Sequence, residues 1–294
     1  GLIQNKGFEL SLTGRPIYND NFKWDMLFNI SRNRSEVVEL APGIDVYNYG
    51  STTYSSVTTY LNSYVGKPFG SLVGQAYQRD EATGQILLDS DNMPLYTDAT
   101  YDFGTVLPDF TGGFQNTLNY RNFTLAALID FQGGGQFFSR SKQLGVRTGQ
   151  DPITAAINDR GSNVRDPLEE GGGVKVTGIS AETGEPIEAY VDARSYYRNV
   201  VGRRIYEEWL FDASYIKLSE LRLGYTFKAD ALSNLPFKSA SVALIARNPA
   251  MIWQEAPDGI DPSSISTGGQ DISWYESGQL ATVRSFGLNL NLVF

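Results

Sequence analysis

The chain has 294 residues, with 33 acidic and 24 basic side chains for a formal net charge of −9, and it contains neither cysteine nor histidine. That balance argues against a partner held through phosphates, so nucleic acid is excluded. The two missing residue types exclude disulfides, Cys/His zinc sites, Ser-His-Asp triads and imidazole bases. The longest uninterrupted apolar runs, Leu125 to Ile129 and Val242 to Ala246, fall far short of the ~20 residues a membrane-spanning helix needs, a test that says nothing against spanning strands. An aromatic content of 13% with 30 glycines favours strands over helices, because glycine weakens helices and aromatic rings suit a pleated surface. Gly1 to Lys6 lack the marks of a signal peptide, which implies a mature or internal start.

In chain order, seven segments alternate apolar and polar residues at period two. Phe8, Leu10 and Leu12 oppose Glu9, Ser11 and Thr13; Phe22, Trp24, Met26, Phe28 and Ile30 oppose Lys23, Asp25, Asn29 and Ser31. Phe114, Leu118 and Tyr120 oppose Gln115, Thr117 and Asn119, and Phe123, Leu125, Ala127, Ile129 and Phe131 oppose Thr124, Ala126, Asp130 and Gln132. Leu221, Leu223, Tyr225 and Phe227 lie opposite Glu220, Arg222 and Thr226, with Ile216 and Leu218 out of phase, so a bulge is expected near Lys217 to Ser219. Val242, Leu244 and Ala246 face away from Ser241 and Arg247. Phe286, Leu288, Leu290, Leu292 and Phe294 face away from Ser285, Gly287, Asn289 and Asn291.

The connections alternate in length. Short ones lie at Arg15-Pro16, at Arg121-Asn122 and between Asp230 and Pro236, whereas 33–109, 134–212 and 249–281 are long and rich in Gly, Asp, Asn, Ser and Tyr. Antiparallel order puts all the long ones at one edge, the pattern of an outer-membrane barrel whose short turns are periplasmic. Single-chain bacterial barrels have an even number of strands, so seven imply that residues 1–294 are the C-terminal part of a larger barrel, with N-terminal strands elsewhere.

Specific motifs then come into view. Pro108 to Asn116 (PDFTGGFQN) with Phe123 to Gly135, Asn5 to Leu10 (NKGFEL) with Phe22-Lys23-Trp24, and Gly66 to Gly70 (GKPFG) with Asp80 to Gly84 follow one another in order. Ser214 to Tyr225 (SYIKLSELRLGY), Ala246-Arg247-Asn248, Gly259 to Pro262 (GIDP) and the terminal Phe294 complete the series. Together they resemble the C-terminal barrel of SusC/RagA-like TonB-dependent transporters over nearly the whole chain. Pro249 and residues 136–207 depart from the pattern, and nothing in the chain resembles a plug domain. The resemblance implies an all-β, antiparallel transmembrane barrel of 22 strands with long extracellular loops, in the outer membrane of a Gram-negative bacterium. It further implies active import of oligosaccharides or peptides, a SusD-like surface lipoprotein, TonB contact through an N-terminal region, and Phe294 as an assembly signal. A siderophore-type receptor is the nearest alternative, and a secreted all-β glycan-binding protein the more distant one.

Candidate chemistry is sparse. Asp89, Asp91, Asp98 and Asp102 suggest loop calcium, but no glycine follows Asn92 and no glutamate closes the loop, so a solvated acidic loop without cofactor is the plainer reading. Glu207 with Glu208, or Glu255 with Asp258 and Asp261, have the residue type of a glycosidase pair without a demonstrable separation, and no enzyme is expected. Tyr196, Tyr197, Trp253, Trp274 and Tyr275 fall in the long connections, where rings stack on sugars or apolar groups or pack on one another. Asp130, Glu220, Arg222 and Arg247 are expected on the inward wall, since arginine outward at bilayer depth costs about 2–4 kcal/mol.

Overall fold

The computed structural model describes residues 1–54, 57–98, 100–265, 274–280 and 282–294. Seven long strands make one sheet: β1 Leu2–Tyr18, β2 Phe22–Glu39, β3 Phe110–Tyr120, β4 Phe123–Gly133, β5 Tyr215–Thr226, β6 Ser239–Gln254 and β7 Ser285–Val293. Their spatial order follows the chain and every pairing is antiparallel, so the sheet is a meander with β1 and β7 at its edges. The turns after β1, β3 and β5 lie at one end, and the three long connections lie at the other.

Register sorts the side chains into two faces. Leu12, Phe28, Phe114 and Ile129 line up across β1 to β4, and Leu125, Leu223, Leu244 and Leu288 across β4 to β7. No second sheet covers this face: Leu244 is 59% exposed and Phe286 79%. One polar residue sits in the apolar rows, Asn116, and it accepts a hydrogen bond from the Trp24 indole N–H at 3.1 Å, as lipid demands. Rings mark both ends of the band. Phe28, Phe110, Phe114 and Phe131 contact one another near the long connections, while Phe123 with Tyr225, Tyr225 with Phe227, and Phe237 with Phe294 form a second row near the short turns. From Phe123 to Phe131, at ~3.3 Å per residue and a tilt near 40°, the rows stand roughly 20 Å apart, close to the apolar band of an outer-membrane barrel.

Two glycines in the upper row are dictated by those rings. A Cβ on Gly112 would lie 2.4 Å from the Phe131 ring, and one on Gly133 2.3 Å from the Phe110 ring, so each phenyl lies flat over the backbone where a side chain is missing. The out-of-phase Ile216 and Leu218 also find their reason. The ladder slips between Leu218 and Glu220, pairing Leu218 with Ile129 and Glu220 with Leu128, and the bulge returns Ile216 and Leu218 to the apolar face.

Some strands outrun the segments expected from alternation. β2 continues to Glu39 and β6 to Gln254, so the first and third long connections begin at residues 40 and 255. Alternation misses these ends because β2 leaves the apolar band there and β6 loses its phase at a kink. Beyond Ile30, β2 turns to Arg32, Arg34 and Glu36, and β6 passes a kink at Asn248 (φ +49°) and Pro249.

Candidate functional site

The long connections are folded, not slack. The first holds a four-stranded sheet of Val46–Tyr54, Val57–Tyr64, Ser71–Gly74 and Tyr101–Thr105. The second and third share a sheet in which Gln136–Ser139 is flanked by Leu210–Asp212 and Tyr275–Glu276, and the first lends Leu87–Leu88 to the hairpin Val174–Ser180 and Pro186–Val191. The apolar cores lie here. Tyr77, Phe138, Val146, Ile205, Tyr206 and Trp209 form one cluster drawn from two connections, with Tyr275 of the third packed against it.

Four of the five loop aromatics belong to these cores. Trp274 is 6% exposed and packs with Leu61, Leu72 and Val106, and Tyr275 stacks on Phe138 with its ring centroid at 6.2 Å. Tyr196 packs between two clusters, and burial together with the nearby Glu208 pushes its phenol up to about 12. Tyr197 sits edge-on to it at 5.1 Å, half-buried, its phenol raised by the same two causes. Trp253 is on strand β6 instead of in a connection. The strand continues past Pro249 and pairs Trp253 with Ile216, which pairs with Phe131, so the indole joins the outward ring row.

Glu207 and Glu208 form a latch. Glu207 accepts from the Tyr77 backbone N–H at 3.0 Å and pairs with Arg79, while Glu208 accepts from the Tyr77 hydroxyl at 2.9 Å. Burial and the Glu208 charge hold that phenol well above its usual range. Glu207→Ala strands a half-buried N–H at a cost of about 1–3 kcal/mol, so limited proteolysis is expected to cut residues 75–98 faster in this variant.

On the polar face, Asp130 lies opposite Lys217, Glu220 pairs with both Leu128 and Arg247, and Arg222 lies between Ala126 and Ile245. The Arg247–Glu220 ion pair, at 3.4 Å and largely exposed, adds little stability. The third connection folds onto this face, where Lys217 Nζ meets Asp261 Oδ2 and Ser263 Oγ, each at 2.8 Å. Hydrogen bonds from Lys217 and Ser263 hold the Asp261 carboxyl below its ordinary range although burial pushes the other way. The four loop aspartates are dispersed. Asp89 accepts from the backbone of Asp91 and Met93, Asp102 pairs with Lys67, and Asp98 is exposed. Among the described residues no group of three or more acidic side chains is placed to hold a metal. Part of the third connection, residues 266–273 and 281, lies outside the described residues.

A cleft of about 590 Å³ opens in the second connection between the helix Arg140–Thr148 and the π-helix Ser195–Val201. Arg147, Arg165, Arg194 and Arg198 line it with Tyr197 and a single carboxylate, Asp192.

Comparison with known proteins agrees with this geometry. No family model matches the chain. TonB-dependent receptors P3 and P26 of Formosa agariphila are 24% and 25% identical to it over its whole length, and TonB-dependent receptor SusC of Bacteroides thetaiotaomicron is 38% identical over 45 residues, 15% of the chain. Among solved structures, the RagAB peptide importer superposes with a TM-score of 0.64 over 99% of the chain at 18% identity, a likeness of fold. The chain is similar throughout to a stretch of TonB-dependent receptor barrel of the SusC/RagA kind. It spans 29% of the length of the two Formosa receptors and 29% of the RagAB chain. Its place is the outer membrane of a Gram-negative bacterium, and its seven strands belong to the receptor's membrane wall. In the linear chain the arginine cleft shows only in that Arg194, Arg198, Arg203 and Arg204 crowd eleven residues of an acidic sequence. That crowding was the available signal; Arg147 and Arg165 join only through the fold.

Proposed function

We propose that the receptor containing this chain actively imports nutrient oligosaccharides or peptides across the outer membrane, and that the chain supplies wall and substrate-side loops and no enzymatic activity. The observation that carries this reading is the division of the molecule into an uncovered apolar wall between two aromatic rows and a single loop assembly at one end. In it, the polar face with Asp130, Glu220, Arg222 and Arg247 lines the interior, and the loop assembly meets a SusD-like lipoprotein outside. Energy arrives from TonB through parts of the receptor beyond this segment. The acidic candidates are occupied structurally, Glu207 by Tyr77 and Arg79 and Asp261 by Lys217, which supports a transporter working without resident metal or cofactor.

Uptake of labelled oligomers by cells with and without the receptor, with the proton gradient intact or collapsed, tests import. Topology has its own test. Cysteines at Asp91 and Glu182, exposed in the long connections, are expected to react with an impermeant maleimide on intact cells, whereas those at Asp20 and Asn234 in short turns stay unlabelled until the outer membrane is opened. Equal labelling of all four would reverse the reading.

Phe294 is proposed as an assembly signal. It ends the outward row of β7 and packs edge-on against Phe237 at 5.0 Å, closing the lower ring row. Its deletion is expected to reduce heat-modifiable receptor in outer membranes several-fold, and unchanged levels would count against the role.

A further inference from the structure

The cleft between Arg140–Thr148 and the π-helix Ser195–Val201 is a concentration of positive charge. Four guanidinium groups face one carboxylate there, in a chain whose formal net charge is −9. Asp192 is already engaged, its Oδ1 accepting from the Ser195 backbone N–H at 2.8 Å where the π-helix starts. Arg165 is the structural member: it donates to the carbonyls of Thr154 and Gly149, each at 2.6 Å, and so ties the end of the first helix to the turn beneath. Arg194 and Arg198 are exposed and make no ion pair or hydrogen bond among the described residues. π-helical turns are rare and recur at functional sites, and this one carries Arg198 and Tyr197 into the cleft.

Arg194 and Arg198 have no counter-charge among the described residues, and the planar fork of arginine matches the paired oxygens of a carboxylate or sulfate. A volume of about 590 Å³ falls within the ~300–1,000 Å³ usual for a small-molecule site. The remaining lining favours a hydroxylated ligand over an apolar one, since Thr148, Thr154 and Gly149 sit among the charges and Val146 and Ala193 are the only aliphatic side chains larger than hydrogen there. One ring, Tyr197, offers a stacking face.

We propose that this cleft binds an acidic oligosaccharide, through uronate carboxylates or sulfate esters, as a recognition subsite for the imported molecule; the assignment rests on the import reading given above. Arg194 and Arg198 engage the anion, Arg147 extends the charged wall, and Arg165 positions the floor.

Calorimetric titration of the receptor purified from outer membranes decides it, with a sulfated tetrasaccharide, an oligogalacturonate, a neutral oligosaccharide of equal length and hexaglutamate as probes. At least one acidic sugar is expected to bind, more weakly as salt rises, while the neutral sugar gives no heat. Arg194→Gln with Arg198→Gln, both exposed and so compatible with folding, should weaken binding about tenfold or more, the double Lys variant less, and Lys175→Gln outside the cleft not at all. Equal binding of the neutral sugar, unchanged affinity in the Gln variant, or tighter binding of hexaglutamate than of either acidic sugar would overturn the proposal. Arginine-dependent binding in a receptor whose cells fail to take the sugar up would support the cleft assignment and sink the import reading instead.

Discussion

Leu290→Arg is expected to cost about 2–4 kcal/mol of barrel stability, whereas Asn291→Arg, one residue further along the same strand, costs little. Leu290 lies midway between Phe286 and Phe294 on the outward row of β7, is 60% exposed, and lines up with Val242 and Tyr225 on neighbouring strands. Lipid is the medium that row meets, and at the bilayer midplane a guanidinium has no water and no partner there. Asn291 pairs with Ser241 on the opposite face, where added charge stays hydrated. Unfolding by urea in lipid vesicles, read by heat-modifiable migration, separates the two variants. Equal loss in both would mean that the faces are wrongly assigned.

Asp261→Ala is expected to release the third connection from the wall, costing about 3–5 kcal/mol locally, because it leaves the Lys217 ammonium unpaired in a site where only 8% of that side chain is exposed. Lys217→Met is milder, since Asp261 Oδ1 still accepts from the Ser263 backbone at 2.9 Å and from its hydroxyl at 2.6 Å. The double variant should recover much of the loss, as removing both charges leaves none stranded. Hydrogen exchange at the Ser263 and Ser264 amides reads the release. The pH dependence has a definite sign. A carboxyl whose folded pKa lies below its unfolded value stabilises the fold above the unfolded value of about 3.8 and loses that contribution as pH falls through the lower folded one. Protection in the wild-type chain is therefore expected to hold from neutrality down to about pH 4 and to fade only below it, while Asp261→Ala exchanges fast throughout.

Much of the wall was legible in the linear chain because a strand's two faces are written two residues apart. Phe286 to Phe294 and Phe123 to Phe131 declare an apolar side without reference to any neighbour, and the phase slip at Leu218 declares its bulge. Legibility ends where the medium changes. The upper part of β2 lies beyond the apolar band and β6 loses its phase at Asn248 and Pro249, so alternation lapses and Trp253 reads as loop while the structure pairs it within β6. The loop cores are silent for another reason. Tyr77 meets Glu207 and Glu208 at a sequence separation of 130 or more, and Ser139 meets Glu276 at 137, so no local period encodes those contacts.

By itself, then, the chain's order of residues determined an antiparallel wall with one greasy face, the side on which its long connections gather, and the exclusion of cysteine and histidine chemistry. Tertiary structure alone decided that three connections close into one packed assembly and that Lys217 anchors the last of them. It also decided that Arg147 and Arg165 come to stand beside Arg194 and Arg198. The physical reason is the range of the forces concerned. Burial of alternate side chains in a uniform apolar medium depends on each strand alone, whereas loop packing and charge clustering depend on which distant segments the closed fold brings within a few ångströms.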